Sequence, residues 1–569
     1  MKIDIQNNQT IIKAEKYKLI FTFNHPLVKL EVDGQDAVEF FPFSQVNALD
    51  GIDDTTAIGI WEVEEEDKKI IVKNRCKSSI WDEKIYKFIC TNENIHYQIE
   101  IKGNNRITDI KYFGGNMSAI VRWGSGFFYS KQDFEKLFNP EPNSHEQNIF
   151  EPSIFTKIDI MGVPLPAKGD WFFTPPPFCY SFKLKDKESY LSFGLEAKPF
   201  ENLYNYFNYV GTTQAFYLET SLEGYKDVEG FYTLPQIGIY FGNGFYNTIE
   251  KHSQYLCDYV YEIKKKSDIY EWWKNPIYCG WGSQCYKAKI LNKNAPELSR
   301  QELYEEFLNT LESRELNPGI VVIDDKWQKQ YGLNDVDTEK WPDMKGFIQK
   351  RHEKGQKVLL WLKAWDTEGL DSELCITNKV GVKVAFDVTN PKFETMLRNQ
   401  IRYMLSTDGL DADGFKIDFT ARIPAGPGLL KYSWQWGLEL QKKYLEILYT
   451  EAKKAKNDAL IMAHTPHPYL SEYIDMIRLN DINVGKDILS AMKHRFMIAK
   501  IACPDVLIDT DNWPITDKKT LLEYIKLQPE LGVPSLYYAT HVDSTGEELD
   551  ISDYLMIRSI WNSYCQKIK

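Results

Sequence analysis

The amino-acid sequence predicts an N-terminal all-β sandwich followed by a (β/α)8 TIM barrel, a multidomain α/β chain, and three observations carry that prediction. Up to about residue 245, short runs of alternating apolar and polar residues are broken by Asn, Gly and Pro. Beyond about residue 275, apolar runs of strand length alternate with amphipathic helices, and eight such runs occur. With 569 residues, 43% hydrophobic and 14% aromatic, the chain is large enough for more than one core. The expected organisation is a sandwich over 1–245, a helical linker over 246–274 and the barrel over 275–569.

Taken in order, the N-terminal stretches "YKLIFTFNHPLVKLEVDG", "KIYKFICTNENIHYQIEIKG" and "AFYLETSLEGY" read as antiparallel strands with turns between them. Three prolines beside aromatics in "KGDWFFTPPPFCYSF" (168–182) make a stiff connection between strands, with a lid over a substrate site as the alternative. Residues 244–274 turn helical and then charged, as a connector does. The eight barrel runs are "PIYCGW", "GIVVID", "KVLLWL", "GFKID", "ALIMAH", "MIRLND", "VLID" and "SLYYAT". Ser299 and Glu302 form the pattern of a capping box, Asn390–Pro391 opens another helix, and Gly355 is placed to end one. Eight strand–helix units fit a barrel of usual size, ~250 residues. The competing doubly wound sheet would carry a glycine-rich phosphate turn, and "YCGWGSQC" does not match one.

Composition narrows the function. A net charge of −13 without a lysine- or arginine-rich block argues against a nucleic-acid surface or an anionic-membrane anchor. The start, "MKIDIQNNQT", has no basic region followed by an apolar stretch, so no secretory signal is expected. No run approaches the ~20 apolar residues of a membrane span. Nine scattered cysteines without a CxxC fit reduced thiols and a cytoplasmic location. Neither a cofactor nor a metal is expected. A homo-oligomer is compatible with all of this.

In a barrel, the residues at the C-terminal ends of the strands face the active site. Here those positions hold Trp281, Asp324, Asp325, Trp361, Lys363, Lys416, Asp418, His464, Arg478, Asp481, Asp509 and Asp511. Period-two geometry puts Lys416 and Asp418 of "GFKIDF" on one face. A strand-end aspartate often caps the next helix, and a Lys–Asp pair is often only an ion pair. The same signal at six strand ends points instead to a polar ligand. Carboxylates that accept bonds from hydroxyls, beside indole faces that stack on a pyranose ring, suggest an oligosaccharide or glycoside. Two carboxylates suffice for glycoside hydrolysis, and Lys416 would keep Asp418 ionised. A metal-dependent isomerase or hydrolase using His464, His467 and Asp418 is the competing barrel chemistry, and a silent carbohydrate-binding protein is the alternative from another class.

These residues resemble the clan of retaining α-glycosidases comprising glycoside hydrolase families 27, 31 and 36, most closely family 36 with its α-galactosidase and raffinose-synthase branch. "VVIDDKWQ" is similar to that branch's second-strand motif and "GFKIDF" to the nucleophile strand. "IRLNDI" is similar to the acid/base segment, and "PDVLIDTDNW" to the segment that follows it. The resemblance implies Asp418 as nucleophile and Asp481 as general acid/base. It places Asp324 and Asp325 on sugar hydroxyls, Lys416 and Arg478 on further hydroxyls, and Trp281 and Trp327 in the pocket wall. Trp361, Lys363, His464 and Asp511 complete the candidate substrate-binding set. The implied activity is a retaining exo-α-glycosidase, foremost an α-galactosidase. Its alternatives are a raffinose-synthase-like transglycosylase and an α-glucosidase or α-N-acetylgalactosaminidase.

Overall fold

The computed structural model describes residues 1–569 except 7, 24, 120–123, 141–146, 149–155, 160–175, 200, 202–206, 265, 267–268, 480, 482–486 and 569. It forms two compact units. One is built from the described residues of Met1–Gly162 and Pro176–Glu262, with Trp436–Glu439. The other holds Ile263–Gln435 and Leu440–Lys569.

The first unit is the expected sandwich. Its described strands join into one hydrogen-bonded network. The long strands Asn94–Tyr112 and Ala215–Thr233 pair antiparallel along most of their length. One short pair departs from that rule: Asn116 and Met117 run parallel to Asp54 and Thr55. Inward-facing aromatics fill the core, with Phe113 4.6 Å from Phe40 and Phe193 5.5 Å from Phe216, ring to ring. The segment expected as a linker begins with the helix Phe245–Tyr255, whose His252 reaches the Leu195 carbonyl at 3.1 Å. Of the proline-rich segment 168–182, residues 168–175 lie outside the described residues, and Cys179–Leu184 is a strand.

All eight apolar runs of the second half are strands of one parallel sheet. They are β1 (Ile277–Cys279), β2 (Ile320–Ile323), β3 (Lys357–Lys363), β4 (Gly414–Asp418), β5 (Leu460–Ala463), β6 (Met476–Arg478), β7 (Leu507–Asp509) and β8 (Ser535–Leu536). From β1 to β7 each pairs with the next in the chain, β1 pairs with β8, and a parallel bridge from Asp509 to Val533, just before β8, closes the ring. Their centres are buried throughout, which explains apolar runs without alternation.

Two local expectations fail. The β5–β6 connection is a short turn of 3-10 helix, Pro468–Tyr473, in place of an α-helix, because Pro466 and Pro468 remove backbone donors there. The helix Gln301–Ser313 is preceded by Arg300 without a side-chain cap, and Ser299 instead donates to the Asp324 carbonyl at 3.1 Å. Asn390 does cap Pro391–Leu405, accepting from the Lys392 amide at 2.9 Å, and Gly355 ends Met344–Glu353 at φ 72°.

The N-terminal floor of the barrel is tied by Asp413, just before β4. This buried carboxylate accepts from His352 Nε2 at 2.7 Å, Lys357 Nζ at 3.0 Å, Lys456 Nζ at 3.2 Å and the Val358 amide at 2.9 Å. Burial alone would raise its pKa, but these partners outweigh it and hold it at about 2.

Candidate active site

The chain turns sharply as it leaves the strands at the C-terminal mouth. Lys326 after β2, Trp365 after β3, Phe419 after β4 and Asp511 after β7 all have positive φ, between 37° and 75°. Each conformation costs a non-glycine residue ~1–2 kcal/mol. Strain repeated at one end of a barrel marks that end as the working face.

Arg478, at the end of β6, gathers the acids. Its Nη2 lies 3.0 Å from Asp418 Oδ1, and its Nη1 lies 3.1 Å from Asp481 Oδ1 and 2.7 Å from Asp511 Oδ2. Asp418 also accepts from the Trp361 indole at 3.1 Å on Oδ2 and from the Phe419 amide at 2.9 Å on Oδ1. His464 Nε2 lies 3.3 Å from Asp418 Oδ1. Burial pushes the Asp418 carboxyl up, but Arg478, His464 and Lys416 outweigh it and hold it well below the usual carboxylate range. Asp481 goes the other way. Burial raises it to about 7 against the pull of Arg478, with the charges of Asp418 and Asp511 adding to the rise. Both side chains keep some exposed surface, 11% for Asp418 and 22% for Asp481. At neutral pH the site therefore presents one ionised carboxylate beside one carboxyl that is half protonated.

A second network lies between β1, β2 and β4. Lys416 Nζ donates to Asp324 Oδ2 at 2.6 Å, and the Cys279 thiol donates to the same oxygen at 2.9 Å. Asp324 Oδ1 is taken by the Asp325 amide at 2.8 Å. Lys416 is held charged: burial works against the charge, and Asp324 more than compensates. Asp324 is further fixed through its backbone, whose amide donates to the Tyr304 hydroxyl at 2.8 Å; that hydroxyl donates to Gln284 at 2.7 Å. Asp325 instead turns outward and accepts from the Tyr331 hydroxyl at 2.7 Å. Burial raises its carboxyl to about 7, only partly offset by that bond.

The structure thus brings most of the candidate residues together but exposes them differently. Asp418, Asp481 and Asp325 keep some exposed side-chain surface. Lys416, Arg478, Asp324, Asp511, His464, Trp361 and Trp327 are buried behind them. Trp327, expected in the wall, has no exposed surface and donates from its indole to the Trp361 carbonyl at 2.8 Å. His464 is neutral, its pKa lowered to about 4 by burial. Lys363 pairs with Asp366 at 2.9 Å and sits 4.1 Å from the centre of the Tyr331 ring. Trp281 lies on the first turn of the helix Trp281–Leu291 and meets Trp513 edge-on at 5.7 Å. Cys279, Tyr331 and Tyr537, whose ring lies 5.1 Å from Lys416 Nζ, escape a sequence reading. The strand-end positions of Cys279 in "PIYC" and Tyr537 in "SLYYAT" could have flagged those two, and nothing local flags Tyr331. Among the described residues no group of three or more His, Cys, Asp or Glu is arranged to hold a metal, and His467 caps its own turn by accepting from the Tyr469 amide.

Residues 291–455 match the family described as the Glycosyl hydrolases family 31 TIM-barrel domain, a span that includes β2 to β4 and Asp418. The sequence match therefore lies in the expected clan and points to family 31 in place of family 36. The α-xylosidase XylQ of Lactiplantibacillus pentosus is 25% identical over 144 residues, 22% of this chain and 18% of that enzyme, so the shared region spans under a fifth of the curated relative. The fold is similar to that of a family 31 sulfoquinovosidase from E. rectale, at TM-score 0.60 and 13% identity, covering 99% of this chain and 83% of that one. It is also similar to a family 36 α-galactosidase from Geobacillus stearothermophilus in complex with stachyose, at TM-score 0.55 and 10% identity, covering 98% and 86%.

Proposed function

We propose that this chain, which carries a glycoside hydrolase barrel of the family 31 type, is a retaining exo-α-glycosidase. The observation that carries the proposal is the pair of carboxyls on Arg478 with opposed protonation, Asp418 held ionised and Asp481 raised to about 7. Such a pair divides the roles of nucleophile and acid. An Asp418 oxygen attacks the anomeric carbon while the Asp481 proton passes to the glycosidic oxygen, and the aglycone leaves as an alcohol. Asp481, now ionised, takes a proton from water, whose oxygen displaces Asp418 and restores the original anomeric configuration. Arg478 keeps Asp418 charged between turnovers, and the Trp361 indole fixes the carboxylate plane. The buried, neutral His464 adds a polar neighbour to Asp418 without adding charge.

The sugar is a finer matter. Binding galactose through Asp324 and Asp325 together needs both carboxylates free for hydroxyls, and Asp324 has both oxygens engaged by Lys416, Cys279 and the Asp325 amide. With Asp325 left as the open carboxyl of β2, an α-glucoside or α-xyloside becomes the first choice. The α-galactoside is the second, favoured by the adjacency of the two aspartates. A transglycosylase would use the same intermediate with a sugar hydroxyl in place of water.

The test is a panel of nitrophenyl α-glucoside, α-xyloside, α-galactoside and α-N-acetylgalactosaminide, with the released anomer followed by proton NMR. Release of one α-sugar first as its α-anomer is the expected result. A β-anomer formed first would mean inversion and would remove Asp418 from the nucleophile's role.

A further inference from the structure

The loop that leaves Asp418 presents large apolar side chains to solvent at alternate positions. Leu430, Tyr432 and Trp434 are 56%, 66% and 55% exposed, two residues apart each time. Large apolar side chains in that density are unusual on a soluble surface unless something covers them. The loop is not loosely held. Leu430 exchanges two backbone hydrogen bonds with Thr377, at 2.7 and 3.1 Å, so it adds an edge to the hairpin formed by Cys375–Thr377 and Lys383–Phe386. The Tyr432 amide donates to Asp387 at 2.7 Å, and Lys431 donates to the Gln435 carbonyl at 2.5 Å. The backbone is therefore pinned while the rings at 432 and 434 stand free of the core. A fixed scaffold holding exposed rings loses little entropy when a ligand arrives.

Position in the chain identifies the ligand class. The loop starts at Phe419, directly after the nucleophile candidate, and the hairpin it joins follows β3, so both are strand-to-helix connections of the C-terminal face. The hairpin side is linked back to the site. Lys383 Nζ donates to the Leu370 carbonyl at 2.9 Å, Glu368 accepts from the Tyr331 amide at 2.9 Å, and Tyr331 holds Asp325. An exo-acting site encloses only the terminal sugar, so the rest of an oligosaccharide must run out across this face. Pyranose rings have apolar faces that stack on Tyr and Trp, and the intervening polar residues Lys431, Ser433 and Gln435 suit their hydroxyls.

We propose that Tyr432 and Trp434 form a stacking platform for the aglycone sugars of an oligosaccharide, a binding site beyond the one for the sugar that is cleaved. This rests on the glycosidase reading for its position, and the experiment separates the two. Binding is measured in the full-length Asp418→Ala protein by intrinsic fluorescence with maltotetraose, isomaltotetraose, a xyloglucan heptasaccharide and stachyose. At least one should bind and quench fluorescence, and Trp434→Ala or Tyr432→Ala should weaken that binding roughly three- to tenfold, with Trp434→Phe restoring most of it. In the otherwise wild-type protein, the same alanine variants should raise KM for the oligosaccharide. Their kcat/KM on the nitrophenyl glycoside of the same sugar should stay within about twofold.

Failure of every oligosaccharide to bind, or binding unchanged by both alanine variants, overturns the platform. So does a dimer in sedimentation analysis that Trp434→Ala disperses, because the rings would then meet a second copy of the chain. Absence of turnover across the nitrophenyl panel, with ring-dependent oligosaccharide binding intact, would count against the glycosidase reading and leave the platform standing.

Discussion

At Arg478 one guanidinium holds Asp418, Asp481 and Asp511, yet two of the three answer to it differently because their surroundings differ. Asp418 has the indole of Trp361, a backbone amide and His464 close by, so its anion is well solvated by protein. The Asp481 carboxyl rests on Arg478 and gains proton affinity from burial and from two neighbouring anions. Three expectations follow. Asp418→Ala should abolish turnover in a steady-state assay while circular dichroism shows an unchanged fold, because Arg478 keeps Asp481 and Asp511 as partners when Asp418 is removed. For the pH profile the sign is set by Asp481, which in the proposed mechanism must be protonated to act as the acid. Then kcat/KM for the chosen nitrophenyl glycoside should fall as pH rises through about 7. Asp481→Asn should remove that limb on a dinitrophenyl glycoside, whose leaving group needs no proton. A limb that persists there and disappears in Asp325→Asn would assign it to Asp325, which also titrates near 7. The placement of Asp418 and Asp481 beside one another at the strand ends was legible from motif order, and the roles proposed for them rest on that placement. Their opposed ionisation was not, since it depends on which groups three separate strands bring together.

Elements show where the chain has no freedom. Gly414 opens β4 at φ 152°, and a Cβ there would lie 2.1 Å from the Leu460 carbonyl oxygen of β5. Gly355 ends its helix at φ 72° with nothing within 4 Å of such a Cβ. Gly414→Ala should therefore destabilise by more than the ~1–2 kcal/mol of left-handed strain expected for Gly355→Ala, because the strands must also part. Urea unfolding of both variants measures the difference, and equal midpoints would contradict the close β4–β5 approach. All eight strands were visible in the sequence because burial on both faces leaves uninterrupted apolar runs. The capping pattern at Ser299 and Glu302 misled because Ser299 found a better acceptor in the Asp324 carbonyl, a partner 25 residues away. The missing helix between β5 and β6 was signalled by its prolines but hidden by the regularity of the other seven units.

At the scale of the whole molecule, the two ends of the barrel have opposite pH behaviour. On the floor, Asp413 has a folded pKa of about 2, below the ordinary value of 3.8, so its contribution is complete above about pH 4 and is lost as pH falls toward 2. The shift corresponds to about 2 kcal/mol, and Asp413→Asn should flatten the loss of stability over that range in thermal unfolding. At the mouth, Asp481 and Asp325 are raised, so their contribution is present at low pH and is lost as pH rises toward 7. The floor thus serves stability, and the mouth carries a conflict of charges that the proposed chemistry uses. Among the described residues, no helix is long and apolar enough to cross a membrane. The sequence by itself determined the two-part architecture, the eight strands and the order of the acids along them, because periodicity and strand ends are local properties of a chain. Which carboxylates face the cleft, which are locked beneath lysine and thiol, and which aromatic side chains stand exposed on the outgoing loop were decided only by the closed barrel. Closure sets residues from β1, β2, β4, β6 and β7 within hydrogen-bond distance of one another, and the resulting fields and burial belong to no single segment.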